Sequence, residues 1–344
     1  MRVHVLNHHF WPDGSPSGVL EEQLADTLRQ MGYDTVLVAG SGAFHSVERD
    51  RPESPLIHLP SREASSRTSK LDILRDYLRF WRAARAYIRT RVHSGDAVLA
   101  TSSPFLNVFL VNGLRRQAPG SPLIFHLHDY LPSNVSSLGF AFRMAAPVVR
   151  WVTDHYLRKW DMVISCAGNI AYHGANAAVA RFWPTVPNPE HRRVDVANKR
   201  ALYAGNLGIA HNVDALVAEM DRHHADGWEI DCYGDGPAIA LLPEYVHRHP
   251  FASGEEYLDV LCSHRVHFIV GVSRADTGAF PSKSLNSLYV GATVVACGFG
   301  PQTRKELDYL RAVPDLTQNR QYAAELVDAA LKRLCAASSD PSSR

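Results

Sequence analysis

Two histidines spaced two apart, His126 and His128, run into Asp129 at the end of an apolar stretch. Alternate residues of a strand share a face, so the two imidazoles point the same way wherever the strand continues that far. Imidazole and carboxylate together can bind hydroxyl groups or move a proton; the alternative is a half-buried histidine satisfied by its neighbours. A His-x-His pair also suits zinc, but it offers two ligands and no evident third, so no metal is expected. Glycines gather in three loops: Gly14-Ser15-Pro16-Ser17-Gly18, Gly205-Asn206-Leu207-Gly208 and Gly234-Asp235-Gly236-Pro237. Without Cβ atoms such loops let backbone N–H groups approach an anion, although each also reads as an ordinary turn. Pro281-Ser282-Lys283 opens a helix with Leu285 and Leu288 inward. Free N–H groups and the Lys283 charge suit a diphosphate there; otherwise Ser282 only caps the helix and Lys283 is solvated.

These residues need a scaffold, and the pattern supplies one. Arg2 to His8 reads as a strand. A helix follows with Leu20, Leu24, Leu28 and Met31 on one face, ended by Gly32, and then a strand from Thr35 to Ala39. This is a βαβ unit. The pattern continues with strands at Ala97–Thr101, Leu123–His128 and Asp161–Ser165, and helices at Leu71–Val92 and Phe105–Arg116. A polar stretch, Ser61 to Ser69, reads as a loop. Three prolines in Pro184-Thr185-Val186-Pro187-Asn188-Pro189 suit a linker. The pattern restarts with a strand at Ala201–Ala204, a helix at Val213–His223, and strands at Glu229–Tyr233, Val266–Val270 and Thr293–Ala296. The fold class is α/β with two Rossmann-like doubly wound domains, residues 1–188 and 196–320. A helix over 321–335 is expected to return to the first domain, and 336–344 to be a disordered tail. Ligands in such sheets bind beyond the carboxyl ends of the strands, so facing domains would enclose a cleft.

Composition agrees. A chain of 344 residues exceeds one typical core. Apolar residues at 46% and charged residues at 21% are those of a globular protein. A net charge of +1 argues against a nucleic-acid partner. Five scattered cysteines without a CxxC pair read as reduced thiols. The start, MRVHVLNHHFWPDG, lacks the apolar core of a signal peptide, and no run is long enough to span a bilayer. A cytoplasmic protein is expected, with peripheral membrane contact through Leu71–Val92 as one option. That helix sets six arginines beside Tyr77, Phe80, Trp81 and Tyr87; a solvated basic face is the other option.

Four ordered stretches resemble glycosyltransferase family 4, retaining enzymes of GT-B architecture. They are Pro12 to Gly32; Ala100-Thr-Ser-Ser-Pro104 followed by Phe125-His-Leu-His-Asp-Tyr-Leu-Pro132; Tyr203-Ala-Gly-Asn-Leu-Gly208; and Phe280-Pro-Ser-Lys-Ser-Leu-Asn-Ser-Leu-Tyr-Val-Gly291 with Ala292-Thr-Val-Val-Ala296. The bacterial polysaccharide and lipopolysaccharide members carry similar patterns. The resemblance implies sugar transfer from a nucleotide sugar to a carbohydrate, lipid-linked or small-molecule acceptor, with no cofactor. It places His128 and Asp129 at the reacting sugar, and Gly14, Ser15, Ser17 and Gly18 beside acceptor or phosphate. It places Gly205, Asn206, His211, Gly234, Arg274, Ser282, Lys283 and Asn286 around the donor. Three of these depart from the family. Asn286 replaces the glutamate that binds ribose. Asn206 and His211 stand where an arginine and a lysine grip the diphosphate, and Ile209 where related enzymes often have arginine. Arg274 and Lys283 are the remaining cations. The alternative is a catalytically silent homologue acting as a partner or binding subunit. A sugar-nucleotide epimerase would need paired carboxylates that the sequence does not offer.

Overall fold

A computed structural model of the chain describes residues 1–40, 51–61, 70–132, 140–170, 172–189, 194–208, 211–252, 254–271 and 280–339. Ile209, Arg274 and most of the polar stretch 61–69 lie outside these. The chain divides into two compact units, Met1–Phe182 with Thr317–Arg344, and Trp183–Leu316.

The first unit holds seven strands: β1 (Arg2–Leu6), β2 (Asp34–Gly40), β3 (Leu56–Leu59), β4 (Ala97–Thr101), β5 (Leu123–Leu127), β6 (Met162–Ser165) and β7 (Ala177–Val179). Their order is β3-β2-β1-β4-β5-β6-β7, and every pairing is parallel. β4 and β5 are buried at all positions, as continuous apolar runs covered on both faces must be. Helix α1 (Pro16–Gln30) buries Leu20, Leu24 and Leu28. Gly32, at φ 95°, ends it in the left-handed region that glycine enters without a Cβ clash.

Helix α2 (Lys70–Arg91) sends Phe80 and Tyr87 into the core and leaves Arg75, Arg79, Arg82, Arg89 and Arg91 exposed. Phe80 and Tyr87 therefore serve packing, and the outer face is basic. The stretch expected as one helix from Phe105 begins as a 3-10 turn, Phe105–Leu110, before α3 (Val111–Gln117). Buried Asn107 draws that first turn back onto β4 by donating to the Thr101 and Ser103 carbonyls at 3.2 Å each. Helix α4 (Phe140–Leu157) precedes β6. Among the described residues no helix is long and apolar enough to cross a membrane.

The second unit holds β8 (Arg200–Ala204), β9 (Glu229–Tyr233), β10 (His247–His249), β11 (Val266–Val270) and β12 (Thr293–Cys297). The order is β10-β9-β8-β11-β12, again all parallel. Its helices are α5 (Val213–Ala225), α6 (Gly254–Cys262), α7 (Lys283–Tyr289) and α8 (Pro301–Arg311). Buried Asp231, in the middle of β9, accepts from His249 at 2.7 Å, His264 at 3.0 Å and Arg200 at 3.1 Å. A buried carboxylate is tolerated only with such partners.

The last helix, α9 (Gln318–Ser339), belongs to the first unit. It packs on α1, the Tyr33 hydroxyl donates to Asp328 at 2.6 Å, and Asn319 donates to the Phe182 carbonyl at 2.8 Å. It starts at Gln318, three residues before the expected 321.

In both sheets the strand order reverses once, between β1 and β4 and between β8 and β11. Ligands of open α/β sheets bind beyond the carboxyl ends at such switch points.

Candidate active site

The second unit has a cavity of about 180 Å³ at its switch point. Tyr203 and Ala204 from the end of β8, and Phe268 to Gly271 from the end of β11, form its floor. His211, Phe280, Pro281, Ser282, Lys283 and Phe299 complete the walls. A larger cavity, about 410 Å³, lies in the first unit against α2 and α3, lined by Trp81, Arg85, Phe109 and Arg116. It is lined by helix faces and the 3-10 turn, whereas the floor of the smaller cavity is made of strand ends, so the smaller cavity is the stronger candidate.

Lys283 runs over Gly205. A Cβ on Gly205 would lie 1.4 Å from the Lys283 Nζ, and Gly205 has φ 134°. Glycine there both relieves the backbone and clears the path of the ammonium. The adjoining loop is as tightly built: a Cβ on Gly234 would lie 2.1 Å from the Gly205 carbonyl oxygen, and one on Gly236 2.4 Å from that of Leu207. Two glycine loops thus stack backbone on backbone beneath one lysine. Burial pushes the Lys283 ammonium down to about 8.

His211 lies on the same cavity, its Nδ1 2.9 Å from the Gly208 nitrogen and 3.1 Å from its carbonyl oxygen. Burial lowers its pKa, and the Lys283 charge lowers it further, so it is neutral at pH 7. Ser282 lines the cavity and makes no side-chain cap to α7. Asn206 is exposed. Asn286 is buried and turned elsewhere: its Oδ1 accepts the Thr185 N–H at 2.8 Å and its Nδ2 donates to the Thr185 hydroxyl at 3.1 Å. It clasps the proline-rich segment and is not among the lining residues of the cavity.

What holds α7 in place is His267, on β11. Its Nε2–H donates to the Leu261 and His264 carbonyls at 3.0 and 3.1 Å, and its Nδ1 accepts from the Ser287 hydroxyl at 2.8 Å. Burial, aided by neighbouring His264, pushes His267 down to about 3. A histidine kept neutral in the folded state and titrating near 6.5 when unfolded favours folding above 6.5. That contribution disappears as pH falls from about 6.5 to about 3, at up to about 1.4 kcal/mol per pH unit. Urea unfolding at successive pH values should show this loss, and a His267→Leu variant should lack most of it.

In the first unit, β5 ends at Leu127, one residue short of the expected His128, yet His126 and His128 still turn to one side, as the two-residue spacing predicts. Glu21 reaches them from α1. Its Oε1 accepts from His126 Nδ1 at 2.5 Å and from His128 Nε2 at 2.7 Å. All three are buried. Burial alone would raise the Glu21 carboxyl; the imidazoles, His126 first, overcome it and hold it at about 2. Ser102, after β4, accepts the backbone N–H groups of His128 at 3.0 Å and Asp129 at 3.2 Å. Asp129 itself is exposed. Glu21 and Ser102 are the residues missed in the sequence. Glu21 lies on the inward face of an amphipathic helix, where a carboxylate at an apolar position was the available signal.

The glycine loop ahead of α1 packs closely. A Cβ on Gly18 would lie 2.1 Å from the His9 carbonyl oxygen. Asp13 binds His9 Nδ1 at 2.9 Å and the Ser15 N–H at 2.8 Å, and the Ser15 and Ser17 hydroxyls meet at 3.0 Å. Gly14 is partly exposed in the same loop.

No family model matches the sequence, and no curated protein matches it. Solved structures do match the fold. The catalytic domain of starch synthase IV from Arabidopsis thaliana, bound to ADP and acarbose, aligns with TM-score 0.63 at 10% identity, over 97% of this chain and 99% of that one. A trehalose-phosphate synthase from Burkholderia xenovorans aligns with TM-score 0.57 at 11% identity, over 97% of both chains. WaaG, a glycosyltransferase of lipopolysaccharide biosynthesis, aligns with TM-score 0.55 at 12% identity, over 94% and 95%. The chain therefore has the fold of the GT-B glycosyltransferases.

Proposed function

We propose that this protein is a glycosyltransferase that moves a sugar from a nucleotide donor to an acceptor hydroxyl with retention at the anomeric carbon. The observation that carries the reading is Lys283, held over Gly205 in the switch-point cavity of the second unit. A partly desolvated ammonium there suits a diphosphate, and the small cavity between Phe280 and Phe299 suits the adjoining group. Lys283 takes over the charge that the neutral Asn206 and His211 do not bring. The role of Asn286 is then to fix the segment at Thr185.

In the reaction, the bond between the anomeric carbon and the diphosphate oxygen breaks, and the nucleoside diphosphate leaves with the electron pair. The acceptor oxygen bonds to the same carbon on the same face, and its proton passes to the departing phosphate. Lys283 stabilises the charge that develops on the leaving oxygen. His128 acts in the first unit. Nε2 faces Glu21, and Nδ1, which has no partner of its own, is the atom that hydrogen-bonds a sugar hydroxyl. Asp129 and the Gly14 to Gly18 loop flank the acceptor. The structural neighbours support sugar transfer; the four sequence motifs support retention and a carbohydrate or lipid-linked acceptor, handled in the cytoplasm.

Calorimetry against UDP-, GDP-, ADP- and dTDP-sugars and their free nucleotides tests the reading. One nucleotide should bind with 1:1 stoichiometry, and binding by none up to millimolar concentration would refute the enzyme. With donor and acceptor known, His128→Ala should lower kcat by roughly a hundredfold or more while leaving nucleotide affinity within about threefold. Unchanged turnover would remove His128 from the mechanism.

A further inference from the structure

We propose that Glu21, His126 and His128 form a binding site for one divalent cation of intermediate softness, zinc foremost. This goes beyond the transferase reading and does not depend on it.

The site is built on rigid elements. His126 near the end of β5 and His128 just after it turn their imidazoles to one side, and α1 lays Glu21 across them. The three side chains are 0%, 1% and 5% exposed, so the cluster is shut off from bulk water. One ligand atom from each residue lies within 4.8 Å of the other two. Two imidazoles and one carboxylate form the donor set of zinc and neighbouring transition ions; magnesium and calcium take oxygen ligands.

A second observation concerns what hydrogen bonding leaves over. One carboxylate oxygen of Glu21 takes both N–H groups, while Oε2, equally buried, has no partner. A buried carboxylate oxygen without a donor is costly. A cation facing the carboxylate uses Oε1 and Oε2 together and offsets the buried negative charge. The present contacts to Oε1, 2.5 and 2.7 Å, are hydrogen-bond lengths. Ligands about 2.0–2.1 Å from a shared tetrahedral ion stand roughly 3.3 Å apart, so seating the ion asks Glu21 to withdraw by about 0.7 Å. With the carboxylate bidentate, the protein supplies four donor atoms, the number usual for zinc.

The test uses the full chain, stripped with a chelator and titrated with zinc chloride in a calorimeter. Metal content is read by mass spectrometry after desalting. Wild type should take one zinc per chain with a micromolar or tighter Kd. Glu21→Gln and His126→Ala, checked for folding by circular dichroism, should each weaken it at least a hundredfold. The chain has 18 histidines, so location matters. His247→Ala and His249→Ala, in the second unit, should leave binding unchanged. Cobalt-loaded wild type should show the absorption of a nitrogen–oxygen site, a readout that stands even if the variants fail to fold. A wild type that takes no stoichiometric zinc, and so holds a hydrogen-bonded cluster only, overturns the proposal. So does zinc binding that survives both Glu21→Gln and His126→Ala. Neither nucleotide nor sugar enters the measurement, so its failure is distinct from failure of the transferase reading.

Discussion

Replacing Lys283 by alanine should weaken nucleotide binding by roughly tenfold to a hundredfold while the protein stays folded. The estimate follows from a hydrogen bond to a charged group, worth about 1.5–3 kcal/mol, at about 1.4 kcal/mol per tenfold. Folding should persist because no hydrogen bond or ion pair of the ammonium is present among the described residues, and burial already disfavours its charge. The pH dependence is a second signature of the same group. With its pKa pushed down to about 8, Lys283 is charged at pH 7 and neutral at pH 10. A diphosphate needs the charged form, so affinity should hold below about pH 8 and fall above it, by at most tenfold per unit. His211, neutral at pH 7, adds no cation in this window. The Lys283→Ala variant should bind weakly at every pH and show a flat profile between 7 and 10. Calorimetry of both proteins across that range checks this. An unchanged affinity in the variant would mean that the diphosphate is gripped elsewhere.

The second large effect is expected at Gly205. A methyl group there would occupy the space of the Lys283 Nζ, 1.4 Å away, and the backbone at φ 134° disfavours any side chain. The clash is with the far end of a flexible chain, so Lys283 can swing aside. The cost to stability should therefore be mainly conformational, about 1–3 kcal/mol. The cost to nucleotide binding should approach that of losing the lysine. The two changes act on one contact, so they should not add. In a double-mutant cycle, Gly205→Ala should cost little further affinity once Lys283 is alanine. Full additivity would separate the glycine from the ammonium. Unfolding curves on the same samples isolate the stability component.

Much of this was legible in the sequence, for identifiable reasons. The central strands are continuous apolar runs between glycine loops, a local signal that needs no partner to be read. β9 and β11 keep the bounds expected of them, Glu229–Tyr233 and Val266–Val270. The short edge strands carry no such signal: β3, β7 and β10 each leave at least one residue exposed, and only β3 buries any. Pairing with an already formed sheet, not their own pattern, makes them strands. Helix α4, interrupted in sequence by Pro147, was likewise unread.

The site divides along the same line. Gly205, Gly234, His211, Ser282 and Lys283 are motif residues, and the sheet's topology gathers them at one switch point. Glu21 meets His126 and His128 across 105 and 107 residues of chain, a contact that no local pattern encodes. The family resemblance puts Asn286 where a glutamate binds ribose; its amide instead matches both polar groups of Thr185, which only the folded linker brings within reach.

The most direct test of the central claim is a crystal structure of the protein with its nucleotide. The account predicts the diphosphate in the cavity between β8 and β11, with a phosphate oxygen about 3 Å from Lys283 Nζ and above the Gly205 backbone. A diphosphate bound away from Lys283, or an empty cavity at millimolar nucleotide, would contradict it.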